Sequence, residues 1–354
     1  MHAGAVIVPA VLAAAEQEKL AGPAVLVGLA VGVEAICRLS LVVPKAVHKA
    51  GFHPTAIFGA MAAGVGAALR LEPPRLVNAL GIAGSMASGI IEYLADGSST
   101  KRMHPGWAAQ SGLRAALLAR AGFTGPRTVF EGTHGLFHGF AHTRSGNYGA
   151  LLDGFGKRWV TETLAFKPCP CGTMVQPYVD CALRLRVRGL EPADIAEIVC
   201  EVGEGAVHRL WEPLSDKQRP PNGYAGKFAT PYCIATALVR GSLGLDAFTD
   251  EAVADPAVRA LAVNIRYEVD PANPYPRAFT GHIRATLRDG RSLEERQPHM
   301  RGGAHAPLTR AEIEAKLAGN ARSGGWTQAQ IDAAHTLAKS IWHAAHIDLA
   351  DLRG

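Results

Sequence analysis

Apolar residues recur at helical spacing through the first 163 positions, broken at Gly22-Pro23, Pro44, residues 51–54, Pro73-Pro74, Pro105-Gly106 and Gly125-Pro126. The segments between those breaks have the length of packed helices. Pro73-Pro74 reads as the first turn of a helix over residues 73–90, because the proline N–H is not needed there. Gly81, Ala83, Gly84, Ser85, Ala87, Ser88 and Gly89 leave nearly every face of that helix small, which predicts a central helix approached closely by its neighbours. From about residue 166 the period changes to two. Residues 198–202 and 263–269 alternate as strands, and residues 282–287 and 291–294 flank Asp289-Gly290, a hairpin signal. Helices are predicted around residues 177–188 and 230–241. After Gly302-Gly303 the pattern is helical again, with Thr309 and Glu312 spaced as a capping box and Thr327 opening the last helix.

The predicted fold is mainly α: an all-helical domain with an inserted, smaller α+β domain. Its boundaries are residues 1–163, 164–302 and 303–354, the last stretch returning to the helical part. Composition agrees: the 354 residues are 48% hydrophobic, 19% charged and only 6% aromatic, which excludes disorder and disfavours an all-β core. A formal charge of +5 without long basic runs gives no reason to expect nucleic acid, while suiting an anionic ligand. Six dispersed cysteines predict reduced thiols in a cytoplasmic protein. The opening helix lacks a basic leader, and the uncharged stretch at residues 21–33 ends at Glu34, so no membrane segment is expected.

Three motifs carry candidate chemistry. Residues 96–107, from Asp96-Gly97 through Thr100, Lys101 and His104 to Trp107, set hydroxyls and a cation beside a helix N-terminus, an arrangement that favours an anion. Gly51-Phe52-His53-Pro54-Thr55 places an imidazole just before a helix. Lys167-Pro168-Cys169-Pro170-Cys171 marks the junction between the domains. His134, His138 and His142 have the spacing of three imidazoles on one helix face and a zinc hydrolase reading, which Gly132, Gly135 and Gly139 oppose. A glycine-rich phosphate loop and a serine nucleophile elbow are missing from the sequence.

The His53-Pro54 knot, the small-residue stretch 79–89 and the run Thr100-Lys101-Arg102-Met103-His104-Pro105-Gly106-Trp107 together resemble the MmgE/PrpD family. The likeness continues through residues 121–126, 167–180 and 227–237. That family includes 2-methylcitrate dehydratase, cis-aconitate decarboxylase and iminodisuccinate epimerase. The resemblance implies a helical domain built from both chain ends, a lid domain between them, a site at their junction, and commonly a homodimer. It also implies a cofactor-independent lyase or isomerase on a small di- or tricarboxylate. By position, His53, Lys101 and Lys167 match family site residues and His2 matches a histidine near the reacting carbon. Thr100 and His104 are expected to line the pocket, with Tyr232 as a neighbour. His2 and His53 are then the acid/base candidates, and Lys101 and Lys167 the carboxylate clamps that also depress histidine basicity.

Two departures shape the expectation. Relatives carry a helical segment with an acidic motif before the residue matching His2, so this chain reads either as starting late or as a shortened member with a pocket open on one side. In the second case it would be a non-catalytic carboxylate-binding or interaction protein. Where relatives often place histidine in the first lid helix stands Gln176, which cannot exchange a proton near neutrality.

Overall fold

The computed structural model describes residues 1–353 apart from Ala62 and Gly97, and omits the side chains of Ala63 and Asp96. The chain divides into two compact units. The first comprises Met1–Glu162 and Asp332–Gly354, and the second Thr163–Ile331.

In the first unit the described elements are helical. The helices Ala3–Gln17 and Gly22–Val42 supply much of its core, through Val6, Ile7, Val11, Val25 and Ile36. Small residues do what the composition predicts. A Cβ on Gly64, in the helix Ala63–Ala68, would stand 2.2 Å from the Gly28 carbonyl oxygen, so only hydrogen fits where these helices cross. The tail closes onto the same unit: Gly22 donates its N–H to the Ala344 carbonyl and Ile347 donates to that of Leu20, at 2.8 and 2.9 Å.

The helix begun by Pro73-Pro74 differs from expectation. It spans Pro73–Ser85, shorter than predicted, and its neighbours approach closely as the small residues indicate: a Cβ on Gly81 would stand 2.6 Å from the Pro126 backbone and one on Gly84 2.2 Å from Val129 Cγ2. It ends at Ser85, and Gly89, with a φ of +120°, lies in the non-helical segment that follows. The expected break at Pro105-Gly106 is also absent. The helix Thr100–Arg120 runs through Pro105, forfeiting only the N–H that would have bonded the Lys101 carbonyl.

The charge that was expected to end the apolar stretch at residue 34 does not end the helix. Glu34 lies in mid-helix, 2.6 Å from Arg38 Nε one turn on, and both side chains are buried. Arg38 also donates to the carbonyls of Ala150, Asp153 and Arg158, while Glu34 accepts from Val160 N, Thr161 N and Thr161 Oγ1. Burial raises the Glu34 pKa, but these donors outweigh it and hold the carboxyl below its usual value. As a result Gly22–Val42, at 21 residues and a mean hydropathy of 2.1 in its most apolar window, is long and apolar enough to cross a membrane by length and composition. Half of that window is buried inside the protein, and the ion pair is spent on protein partners, as in a core helix.

The second unit contains a four-stranded sheet in the order β2-β1-β3-β4, with β1 Ile195–Val202, β2 Ile265–Val269, β3 Gly281–Leu287 and β4 Ser292–Gln297. β1 pairs parallel with β2, with Cys200 opposite Tyr267, and antiparallel with β3, with Cys200 opposite Ile283. The parallel pair needs a long crossover, and helices including Thr230–Arg240 provide it. One face of the sheet joins Trp211, Tyr178 and Ile234 in the core; the other carries Glu197, Glu201, Arg266 and Arg284.

The C-terminal boundary lies later than expected. Residues 303–331 belong to the second unit, because Arg301 bridges Asp180 to Glu312, Phe166 N–H bonds the Gly302 carbonyl and Lys316 reaches the Pro168 carbonyl. The return to the first unit begins at Asp332. The Thr309–Glu312 capping box forms as the sequence indicates.

Candidate active site

His53 precedes the helix Pro54–Gly59, where Pro54 fixes the first turn. Its position is set by a short pairing of two segments. Phe52 bridges Ile90, His53 donates its N–H to the Gly89 carbonyl at 2.9 Å, and Ile91 donates to the Gly51 carbonyl at 2.9 Å. The motif around His53 is thereby joined to the end of the small-residue stretch. His104 arrives from the other side, on the first turns of Thr100–Arg120, and its Nδ1 lies 3.1 Å from His53 Nδ1. Both imidazoles are buried.

The buried ring of Tyr93 packs edge-on to both histidines, with centroids at 6.0 Å from His53 and 5.7 Å from His104. Lys101 Nζ sits over the same ring, 5.6 Å from its centroid. An ammonium thus stands beside two imidazoles against an aromatic floor. Burial first, then His104 and Lys101, push His53 down to about 3. Burial and Lys101 lower His104 as well. Both shifts favour the neutral imidazoles at pH 7.

A cleft of about 610 Å³ opens beside this group. Tyr93, Ser98, Thr100 and His104 line it together with Ile90, Met103 and Trp107, and Glu92 also borders it. The volume suits a small organic acid. In the second unit a cavity of about 20 Å³ near Trp211 and Tyr275 has room for only about one water.

His2, Thr100 and Lys101 join His53 and His104 in this region. The His2 backbone N–H donates to Thr55 Oγ1 at 3.2 Å, and its ring centroid lies 6.4 Å from that of His53. Thr100 Oγ1 is 3.4 Å from Ser98 Oγ. Of the motif Asp96-Gly97, Gly97 and the Asp96 side chain lie outside the described residues.

Lys167 and Tyr232 belong to the second unit. Lys167 Nζ donates to the Cys171 carbonyl at 3.2 Å; burial, with Lys316 nearby, lowers its pKa. Tyr232 does not line a pocket as expected: its side chain is fully enclosed in the core and its hydroxyl donates to the Ala247 carbonyl. Gln176 is also structural. It accepts from Cys169 N–H at 3.0 Å, donates to the Cys169 carbonyl at 2.9 Å and approaches Cys171 Sγ at 3.0 Å, fixing the Cys-Pro-Cys turn.

The three spaced histidines do not share a helix face. The helix there is only Leu136–Ala141, His142 is its left-handed cap, and all three side chains are exposed. Among the described residues no group of three or more His, Cys, Asp or Glu is arranged to hold a metal ion.

The pairing of His53 with His104 was not visible in the sequence, where the two are 51 residues apart. The available signal was that each lies beside a helix start within one of the two polar motifs.

Of this cluster Tyr93 and His104 line the cleft, with Lys101 and His53 behind them. Residues 1–148 match the MmgE/PrpD N-terminal domain and residues 169–340 the MmgE/PrpD C-terminal domain. The chain belongs to the MmgE/PrpD family. It is 28% identical over 339 residues to the cis-aconitate decarboxylase-like protein oryM of Aspergillus oryzae, covering 89% of this chain and 69% of that protein. With the cis-aconitate decarboxylase of Aspergillus terreus it shares 28% identity over 327 residues, 83% of this chain and 64% of the relative. The 2-methylcitrate dehydratase of Cupriavidus necator is 27% identical over 246 residues, 64% of this chain and 48% of that enzyme. The chain therefore spans roughly two thirds of the length of these decarboxylases and about half that of the dehydratase.

Proposed function

We propose that the protein is a lyase acting on a small di- or tricarboxylate, with decarboxylation of a cis-aconitate-like acid as the leading reaction. Dehydration of a 2-methylcitrate-like acid is the second reading, favoured by the similarity to the Cupriavidus enzyme. The observation that carries the proposal is the Lys101 ammonium held on Tyr93 beside the paired imidazoles of His53 and His104, at a cleft of suitable size.

In decarboxylation the bond between carbon and one carboxylate breaks, CO2 leaves, and the electron pair stays on carbon, delocalised toward a neighbouring carboxylate. A protonated group then returns a proton to that carbon. In dehydration a base removes a proton α to a carboxylate, and an acid protonates the departing hydroxyl, giving water and a carbon–carbon double bond. Both routes need a proton donor and acceptor next to a cation. His53 and His104 supply the imidazoles, with His2 as a further candidate, and Lys101 stabilises the charge that develops on the substrate. Lys167 is proposed as a second carboxylate-binding group.

The proposal is tested by incubating the full chain with cis-aconitate and with 2-methylcitrate, and following products by NMR and heat of binding by calorimetry. Turnover of either acid supports a lyase and identifies the reaction. Binding without product would instead make the chain a carboxylate-binding protein.

A further inference from the structure

At 3.1 Å, the Nδ1 atoms of His53 and His104 cannot both be bare, because lone pairs would face each other, nor both protonated, because two N–H groups would collide. One proton lies between them. One ring is therefore the Nδ1–H tautomer, with a lone pair at its Nε2, and the other is the Nε2–H tautomer, with a donor there. Burial and the ammonium of Lys101 keep both rings neutral at pH 7, so this is the resting arrangement. Two chemically identical side chains thus present a base at one Nε2 and an acid at the other.

From this geometry we infer that His53 and His104 form a single proton-relay unit in which each ring fixes the tautomer of the other. The step balances. A proton bonds to the free Nε2 of the first ring, that ring passes its Nδ1 proton to the facing Nδ1, and the second ring releases its Nε2 proton. The pair ends neutral, with its tautomers exchanged. His104 lines the cleft, and the ring centroid of His2 lies 6.4 Å from that of His53. Around the pair stand Lys101, His48 and the ring of Tyr93. Gly89 fits the pair closely, since a Cβ there would lie 3.3 Å from His104 Nδ1. The role in turnover rests on the proposed lyase activity; the shared proton does not.

The test uses the full chain labelled with 15N-histidine. NMR is expected to show the two rings locked in opposite tautomers, with a 15N–15N coupling across the shared hydrogen bond. In His104→Leu the His53 ring should revert to an averaged tautomer mixture. With a substrate that turns over, His53→Gln and His104→Gln should each reduce kcat about 100-fold or more while KM changes little. The double variant should then lose no more than either single one. Rings averaging freely in the wild type, or losses that multiply in the double variant, would overturn the relay. A locked pair in a chain that turns over no acid would sink the lyase proposal while leaving the shared proton intact.

Discussion

Gly89 and His104 fit against each other with no space for a methyl group. A Cβ on Gly89 would stand 3.3 Å from His104 Nδ1 and 2.8 Å from Ala56 Cβ, at a φ of +120°. The same residue accepts the backbone N–H of His53. Gly89→Ala is therefore expected to cost about 1–3 kcal/mol in backbone strain, with a similar cost for overpacking. It should also displace both imidazoles and reduce turnover more than its loss of stability explains. Denaturant melts and kinetics on the same preparation check this; a variant matching the wild type in both would contradict the described geometry.

Arg38 and Glu34 give a second prediction, about folding rather than chemistry. Removing the guanidinium in Arg38→Met leaves the buried Glu34 carboxylate without its counter-ion and three backbone carbonyls without a donor, with an expected loss of about 3–5 kcal/mol. Replacing both partners, as Glu34→Leu with Arg38→Met, should recover part of that loss, because no charge is then left buried. Urea unfolding midpoints measure both effects. A single variant as stable as the wild type would show that the pair does not hold the 150–161 segment.

Acid sensitivity follows from His53. Its ordinary value is 6.5 and the fold lowers it to about 3. Between these values the unfolded chain binds a proton that the folded chain refuses, so stability is full above about pH 6.5 and falls as pH drops toward 3. At pH 5 the deficit from this one group is about 2 kcal/mol. His53→Gln should flatten that part of the stability profile. An unchanged slope between pH 5 and 6.5 would mean that His53 titrates normally in the folded protein.

Much of the fold was legible in the sequence because local signals and tertiary structure agree. The helix start at Pro73, the Asp289-Gly290 turn between β3 and β4, and the Thr309 capping box are short-range devices, and each forms. Expectations failed where a distant partner decides the outcome. Glu34 looks like the end of an apolar stretch until Arg38 and the 150–161 segment satisfy it. Tyr232 lies in a segment that resembles the family but closes into the core through Ala247. At the candidate site the polar motifs marked His53, Lys101 and His104 individually. Their meeting depends on the Gly89 turn and on Tyr93, neither of which has a periodic signature.

The most direct test of the proposed chemistry is turnover of cis-aconitate in deuterated water, followed by NMR, for the wild type, Lys101→Ala and His53→Gln. The expected result is a product lacking one carboxylate and carrying deuterium at the carbon that is protonated. Both folded variants should be slower by about 100-fold or more, as for loss of a charge-stabilising or proton-transferring group. Deuterated product formed at the wild-type rate by both variants would contradict the assignment of the reaction to this cluster.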